Sequence, residues 1–238
     1  MFDIAITLYE TTQVFNKESE PIMKPASISA ISIEALRQFG AATVCEAQGG
    51  KGAFDSGMKP IDPGMRLAGP AFTVDTCPAD NLMLHYAMVK AKPGDVLVVD
   101  AKGFLEAGPW GDVFTEQALK MGLAGLVIHG AVRDASAITR MGFPVFCRAL
   151  SIKGTSKNQP GRVNVPIRIG EVQIHPGDII IGDQDGLVLV QRDEVDQVIH
   201  NSRLREQKED SFREQIRNGV TTLELMGLGP MLQSLNLI

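Results

Sequence analysis

The sequence predicts a layered α/β fold around a mixed sheet, and three observations predict it. Short β-branched and aliphatic runs such as Leu126 to Ile128 stand between glycines, the pattern of strands buried on both faces. Amphipathic helical stretches alternate with those runs as far as Phe146. From Val163 to Val190 the strands instead crowd together with tight turns between them, which a purely parallel, doubly wound sheet does not do.

At 238 residues the chain can bury a full core, and 44% hydrophobic with 21% charged residues is the composition of a globular protein. A net charge of −5 argues against a nucleic-acid binder, which needs a basic face to neutralise phosphates. It leaves room for an anionic small substrate held by a few local cations. There is no apolar run long enough for a membrane span, so no membrane partner is expected. The first ten residues lack a basic stretch followed by an apolar one, so no secretory signal is read there. Cys45, Cys77 and Cys147 are odd in number and widely spaced, which suits free thiols in a reducing cytoplasm. The expected location is cytoplasmic.

Residues 1–26 mix charge, Thr and Pro without periodicity and read as an N-terminal arm; residues 27–191 read as the α/β domain. Ser32 is expected to cap a short helix carrying Ile33, Leu36 and Phe39, which Gly40 closes. Thr43 to Gln48 adds a helical turn ended by Gly49-Gly50-Lys51-Gly52. That cluster lacks the spacing and the preceding strand of a phosphate loop. Leu67 to Thr76 reads as a strand. Asp80 then caps a helix from Asn81 to Lys90, with Leu82, Met83, Tyr86 and Val89 expected on its apolar side. Pro93-Gly94-Asp95 is a turn with Gly supplying positive φ. A strand from Val96 to Val99 ends in Asp100, a loop covers Ala101 to Pro109, and a helix runs from Trp110 to Met121.

The strand around Leu126 to Ile128 comes next, and straight after it stand Arg133 and Asp134, ahead of a helix over Ala135 to Met141. Asp is a favoured N-cap, so locally the pair reads as a cap and its ion partner. The exit of a buried strand is also where α/β folds carry their chemistry. Pro144 to Phe146 gives another strand, and Ser151 to Arg162 is a polar surface loop. Asp183-Gln-Asp-Gly186 lacks the ligand spacing of a calcium loop and reads as a hairpin turn. Asp193 to Asn218 is a long helix whose stretch from Asn201 to Glu214 carries only Leu204 and Phe212 as large apolar residues. Such a helix is either solvated and laced with i, i+4 pairs or laid across a neighbouring subunit.

Asp134, Asp100, Glu106 and Asp112 all fall near strand ends or helix starts. Asp134 plus waters would suit a hard cation such as magnesium, and zinc would not be suited. His85, His129, His175 and His200 have no partner at metal-ligand spacing. No G-x-S-x-G and no G-x-G-x-x-G are present. Lys102, after a strand, is the best of Lys51, Lys90 and Lys102 for a Schiff base.

Pro93-Gly-Asp-Val-Leu-Val-Val-Asp100, Trp110-Gly-Asp112, Gly125-Leu-Val-Ile-His-Gly-Ala-Val-Arg-Asp134 and Gly142-Phe-Pro-Val-Phe146 together carry a family resemblance. Ala42 to Gly49, Asp80 to His85, Val163 to Pro166 and Asp183 to Val188 support it. The chain resembles the family of the regulator of ribonuclease E activity A, and within it the class II 4-hydroxy-4-methyl-2-oxoglutarate/4-carboxy-4-hydroxy-2-oxoadipate aldolases. The resemblance implies an α-β-β-α layered sandwich with mixed sheets, of the swivelling-domain kind, plus a C-terminal helical extension over residues 192–238 that packs on a neighbouring subunit. It implies a homotrimer or homohexamer with active sites between subunits. Mg2+ or Mn2+ would be held by Asp134, mostly through water. Arg133 would hold the substrate, the backbone of Gly111, Asp112, Val113 and Phe114 would receive a pyruvate carboxylate, and Asn81 and His85 would line the same site. Glu209 of a neighbouring subunit's helix and Glu106, beside Ala107 where these aldolases carry an aspartate, complete the implied catalytic set. The implied reaction is cleavage of a 4-hydroxy-2-oxo di- or tricarboxylic acid to pyruvate and a second oxo acid, with oxaloacetate decarboxylation alongside. The alternative is a non-catalytic regulator of ribonuclease E-type activity, against which the C-terminal extension weighs.

Overall fold

The computed structural model describes residues 28–238, so the expected N-terminal arm lies outside the described residues. Two helices open it, α1 (Ala30–Gln38) and α2 (Ala41–Ala47), followed by the strands β1 (Lys59–Pro60) and β2 (Leu67–Asp75). Helix α3 (Leu82–Lys90), β3 (Val96–Phe104), α4 (Asp112–Met121), β4 (Gly125–Val132), α5 (Ala135–Met141) and β5 (Val145–Cys147) then alternate. Short strands follow: β6 (Ala149–Leu150), β7 (Arg162–Val163), β8 (Ile167–Ile169), β9 (Val172–Ile174), β10 (Ile179–Asp183) and β11 (Gly186–Val190). The chain closes with α6 (Val195–Arg217), α7 (Thr222–Leu225) and α8 (Gly229–Ser234).

The mixed α/β expectation is met. Among the described residues, β5, β4, β3 and β2 lie side by side in parallel; β10 and β11 continue antiparallel beyond β2, and β1 is antiparallel on β5. These strands form one sheet rather than the two separate sheets of a sandwich. Its two ends approach each other: Ala53 bridges Val188, and Lys59 Nζ donates to the Asp185 carbonyl at 2.5 Å. The sheet is therefore nearly closed. Side-chain alternation sorts its residues between two cores. Ile180, Leu187 and Leu189 join the main core with β3 and β4, while Ile179, Ile181, Val188 and Val190 face α1, α2 and the start of α6.

Several elements differ from expectation for identifiable reasons. Ser29, not Ser32, caps α1, its hydroxyl accepting from Ser32 N–H at 3.0 Å. Gly40 does not close α1; it is the N-cap of α2, and the Ala41 N–H is taken by Asp183 Oδ2 at 2.8 Å. The hairpin turn at Asp183 to Gly186 is thus confirmed, and its first carboxylate also tethers a helix start. On α3 the buried face is Met83, Leu84, Ala87 and Met88; Leu82, Tyr86 and Val89 point outward. This helix is apolar nearly all round, so its periodicity could not choose a face. Strand β3 runs on past Asp100 to Phe104, because Lys102 (φ 59°) and Gly103 (φ 66°) form a bulge and pairing resumes at Phe104 opposite Gly130. Helix α4 begins at Asp112, with Trp110 wholly buried ahead of it.

Helix α6 docks only by its first turns: Val195, Val198, Ile199 and Ser202 are buried, and no later residue of the chain is. Beyond them Arg205 pairs with Glu46 and, at 3.0 Å, with Glu209, and Arg213 pairs with Glu209 at 2.8 Å. Within one chain the polar half is held by i, i+4 pairs. No helix among the described residues is long and apolar enough to cross a membrane.

Candidate functional site

The parallel strands β2, β3 and β4 end on one side of the molecule, and the site is built there. After Val132 the chain turns so sharply that Asp134 adopts φ 57°, a left-handed conformation an aspartate tolerates better than most residues. The turn is anchored by Arg133 N–H donating to the Trp110 carbonyl at 2.9 Å. The Asp134 carboxylate makes no capping bond to α5. Asp134 is the N-cap residue of α5 by position, but its side chain does not cap; the ion-pair half of the local reading holds, with Asp134 Oδ2 facing Arg133 Nε at 3.3 Å and the Asp112 N–H at 3.4 Å.

Two glycines make room for this pair. A Cβ on Gly111 would overlap Asp134 Oδ2 and stand 3.1 Å from Arg133 Nε. One on Gly108 would press on the Ser151 carbonyl at 2.5 Å and on Arg133 Cβ at 3.0 Å. Arg133 forms a wall shared by two hollows. One, of about 490 Å³, carries Asp112 and Asp134 on its lining with Leu150 and Ile152. The other, of about 320 Å³, gathers Asn81, His85, Gly111, Val113, Phe114 and Arg133. The fold thus brings together eight of the ten residues expected at the site, from the ends of three separate elements.

Polar and aromatic side chains share the lining of the second hollow. Asn81 is 7% exposed; its Nδ2 donates to the Pro109 carbonyl at 3.1 Å, and its Oδ1 has no hydrogen-bond partner among the described residues. A buried amide oxygen left in this way costs stability unless an ordered water or a small shift of the side chain gives it a donor. The first turn of α4 has no side-chain cap from Gly111, and its donors face carboxylates: Val113 N–H bonds Asp112 Oδ1 at 2.8 Å, and Asp112 N–H faces Asp134 Oδ2. These two carboxylates occupy the first donors of α4, where the helix dipole favours negative charge. His85 lies against Phe114 at 4.5 Å between ring centroids, and Phe114 stacks on Trp110 at 5.0 Å. Burial, and then the charge of Lys157, holds the His85 pKa below its usual value, so the ring is neutral at neutral pH.

Glu106 and Glu209 are not brought to either hollow within the chain. Glu106 is exposed and bonds Lys153 at 2.5 Å, an interaction that holds its pKa low, while the neighbouring Ala107 is buried. Glu209 is engaged with Arg205 and Arg213. Sequence reasoning missed Gln117, Thr155 and Lys157, which complete the lining of the second hollow. The last two lie on the 151–162 loop, whose polarity gave no sign of where it folds. Its anchor is Asp80: besides taking Leu82 N–H with Oδ1, it accepts with Oδ2 from Ser156 Oγ, Asn158 N–H and Gln159 N–H at 2.7, 2.8 and 3.1 Å. Burial pushes this carboxyl's pKa up, yet those bonds outweigh it and leave the pKa below normal.

Lys102 is in no position to form a Schiff base. Its Nζ lies 2.5 Å from Asp75 Oδ1 and 2.6 Å from Asp100 Oδ2. Burial lowers its pKa, but those hydrogen bonds and charges prevail and raise it, so the amine stays protonated and non-nucleophilic. Borohydride reduction in the presence of pyruvate is expected to leave Lys102 unmodified by peptide mass mapping; a pyruvyl adduct there would show that the ammonium is released on substrate binding.

The implied divalent cation can be tested against the donor set. Asp134 and Asp112 offer oxygen only, and among the described residues no group of three His, Cys, Asp or Glu side chains is arranged to hold a metal. Few carboxylates and no soft ligand suit a hard cation that keeps most of its waters. The residues present fit Mg2+ or Mn2+.

Fold and site together define a mixed α/β protein with an arginine-walled cleft at the carboxyl ends of its parallel strands. Residues 41–189 match the model of the RraA-like family, described as Aldolase/RraA, and the chain belongs to that family. It is 37% identical over 190 residues to a putative 4-hydroxy-4-methyl-2-oxoglutarate aldolase of Halalkalibacterium halodurans, covering 79% of this chain and 90% of that one. The crystal structure of Streptomyces coelicolor RraAS2, an unusual member of the RNase ES inhibitor RraA protein family, is similar with a TM-score of 0.70 and 27% identity over 79% of this chain and 98% of that one. The RNA-processing inhibitor RraA from Thermus thermophilis gives a TM-score of 0.59 and 28% identity over 64% and 93% of the two chains.

Proposed function

We propose that this protein is a divalent-metal-dependent pyruvate aldolase, a carbon–carbon lyase acting on a 4-hydroxy-2-oxo di- or tricarboxylic acid. One observation carries the reading: Arg133 stands between a hollow lined by Asp112 and Asp134 and a cleft lined by Asn81, His85 and the start of α4. The likeness to a putative aldolase supports it. In this reading the first turn of α4 receives the 2-oxo acid's carboxylate, with Asp112 and Asp134 drawn aside. Asp134 would hold the Mg2+ or Mn2+, with Asp112 beside it; when bound, the cation supplies Lewis-acid stabilisation of negative charge on the oxo acid. The Asn81 side chain, held by its bond to the Pro109 carbonyl, forms part of the wall of the cleft that the substrate enters.

A carboxylate then removes the C4 hydroxyl proton, the C3–C4 bond breaks, and its electron pair passes into the 2-oxo group as the enolate of pyruvate. Arg133 places its guanidinium where that oxygen gathers charge. The carboxylate is Glu209 reaching in from a neighbouring subunit of a homotrimer or homohexamer, or Glu106 once released from Lys153. Protonation of the enolate at C3 releases pyruvate, and the C4 fragment leaves as a second oxo acid. Oxaloacetate loses carbon dioxide to the same enolate, so its decarboxylation is expected as a side activity.

The test is pyruvate release from a panel of 4-hydroxy-2-oxo acids and oxaloacetate after exhaustive chelation, with and without added Mg2+ or Mn2+. Chelation is expected to remove at least nine-tenths of the activity and the added ion to restore it. Full activity after chelation removes the metal from the reading. Absence of any lyase activity with metal present would leave the regulatory role seen in other family members as the better account.

A further inference from the structure

The segment from Ile152 to Arg162 forms one side of the second hollow, with Gly154, Thr155 and Lys157 on the lining, yet no residue in it is buried. Ile152, its one large aliphatic side chain, is exposed. Apolar burial therefore does not place this loop, and its position rests on polar bonds. At its start Ser151 N–H donates to the Val132 carbonyl and Gly108 N–H to the Lys153 carbonyl, both at 2.9 Å. At its end Arg162 pairs with Asp75 at 2.9 Å. Between those points the bonds converge on Asp80 and its two chain neighbours.

Asp80 is wholly buried, a costly place for a carboxylate unless hydrogen bonds replace its water. Its two oxygens divide the work. Oδ2 accepts from Ser156 Oγ, Asn158 N–H and Gln159 N–H on the loop, and Oδ1 accepts from Leu82 N–H at the start of α3. On either side of it the Ala79 carbonyl accepts from Ser156 N–H at 2.9 Å, and Asn81 N–H donates to the Ser156 carbonyl at 3.1 Å. The Asn81 side chain donates in turn to the Pro109 carbonyl, just ahead of Trp110 and Gly111. Three walls of the cleft, namely α3, the loop and the turn before α4, are thus joined through two consecutive residues.

We infer that Asp80 is a positioning residue of the cleft: it latches the 151–162 loop to α3 and so fixes the width of the hollow that the substrate enters. The inference rests on the proposed lyase for its kinetic readout; the latch itself is a property of the chain. Asp80 is not on the lining and acts only through what it holds. Its effect falls on binding rather than on bond cleavage. Arg133 and Asp134 are placed by the Trp110 carbonyl and by the space at Gly111, which a loosened loop leaves as they are. A loop set free must be ordered again each time ligand binds, and that entropy is lost from the affinity.

Limited proteolysis of the full chain reports the latch, because the Lys157–Asn158 bond that trypsin would cut carries the N–H that Asp80 holds at 2.8 Å. In Asp80→Asn the remaining oxygen can stay on Leu82 N–H, while the Asn158 and Gln159 N–H groups lose their acceptor. Cleavage after Lys157 is expected to become at least about tenfold faster than in the native protein. Cleavage after Lys153, whose carbonyl is held by Gly108, is expected to change much less. KM for oxo-acid cleavage is expected to rise about tenfold, the scale of one lost charge-assisted bond, with kcat nearly unchanged. The Kd of 2-oxoglutarate, which has no 4-hydroxyl to cleave, is expected to rise alongside in saturating Mg2+. Ser156→Ala removes one latch bond from an exposed side chain and serves if Asp80→Asn does not fold; a smaller rise in KM is expected, and Ser156→Thr is expected to reverse it. Native-rate cleavage after Lys157 in both Asp80→Asn and Ser156→Ala overturns the latch. A fall in kcat with KM and Kd unchanged marks a loss of folded protein and overturns the positioning role. Native protein that cleaves no oxo acid overturns the lyase, and a raised Kd in the variants would then still uphold Asp80 as assigned. Native protein that binds no oxo acid overturns both.

Discussion

Arg133→Ala is expected to lower the turnover of oxo-acid cleavage by about 10²- to 10³-fold, the usual cost of removing a donor aimed at a developing oxyanion. Three features of the structure concentrate the effect on turnover. Arg133 is the wall common to both hollows, so its guanidinium can reach the oxo group wherever the carboxylates of Asp112 and Asp134 leave room. Its backbone is tied to Trp110, a wholly buried residue, so the alanine variant keeps the turn. Its bond to the enolate exists only as charge moves onto that oxygen, so kcat falls more than KM rises. Arg133→Lys should recover part of the loss, because the charge remains and the planar fork does not. Steady-state assay of pyruvate release decides the matter: an alanine variant turning over near the native rate removes Arg133 from the chemistry.

Gly111→Ala is expected to cost about 100-fold in activity while leaving the fold intact, on the rule that displacing a reacting group by about 1 Å costs that much. The backbone is not the reason, since Gly111 sits at φ −149° and ψ −166°, extended values open to alanine. The added methyl would occupy the space of Asp134 Oδ2 and crowd Arg133 Nε and Cγ at 3.1 and 3.2 Å. Both side chains must move, and they are the carboxylate and the guanidinium proposed to hold the metal and the enolate. Glycine to alanine at a helix N-cap changes stability by only about 1 kcal/mol or less. A variant with a native circular dichroism spectrum, a melting temperature within a few degrees of native and a hundredth of the activity is the expected result. Retained activity would mean that the pair is not held where the geometry places it.

Much of this site is legible in the sequence. Arg133 and Asp134 at the exit of an apolar run, the Trp110-Gly111-Asp112 motif and the Asn81 to His85 stretch are contiguous signals, and the fold brings all three to one cleft. What stayed hidden was whatever depended on residues far apart in the chain. Asp80 looked like a helix cap because its partners Ser156, Asn158 and Gln159 are more than seventy residues away. Lys157 falls in the stretch from Ser151 to Arg162, which reads only as a polar surface loop. The α3 face was misassigned because a helix apolar on nearly every side carries no directional signal, so only its packing against the sheet could choose Met83, Leu84, Ala87 and Met88.

The sequence by itself determined the mixed α/β class, the hairpin at Asp183 to Gly186, the long polar C-terminal helix and the identity of the central Arg133–Asp134 pair. These follow from local rules: periodicity, turn chemistry and short motifs act over a few residues. Only the tertiary structure decided that the sheet curls until its ends nearly meet, that the Asp134 carboxylate faces the start of α4 and makes no bond to the N–H groups of α5, that Lys102 is locked between two aspartates, and that the 151–162 loop folds over the cleft. Each of those depends on which distant groups share a small volume. A lone carboxylate after a strand can cap, pair or hold a cation, and it is the space left by Gly111 and the donors of α4 that settle where Asp134 points.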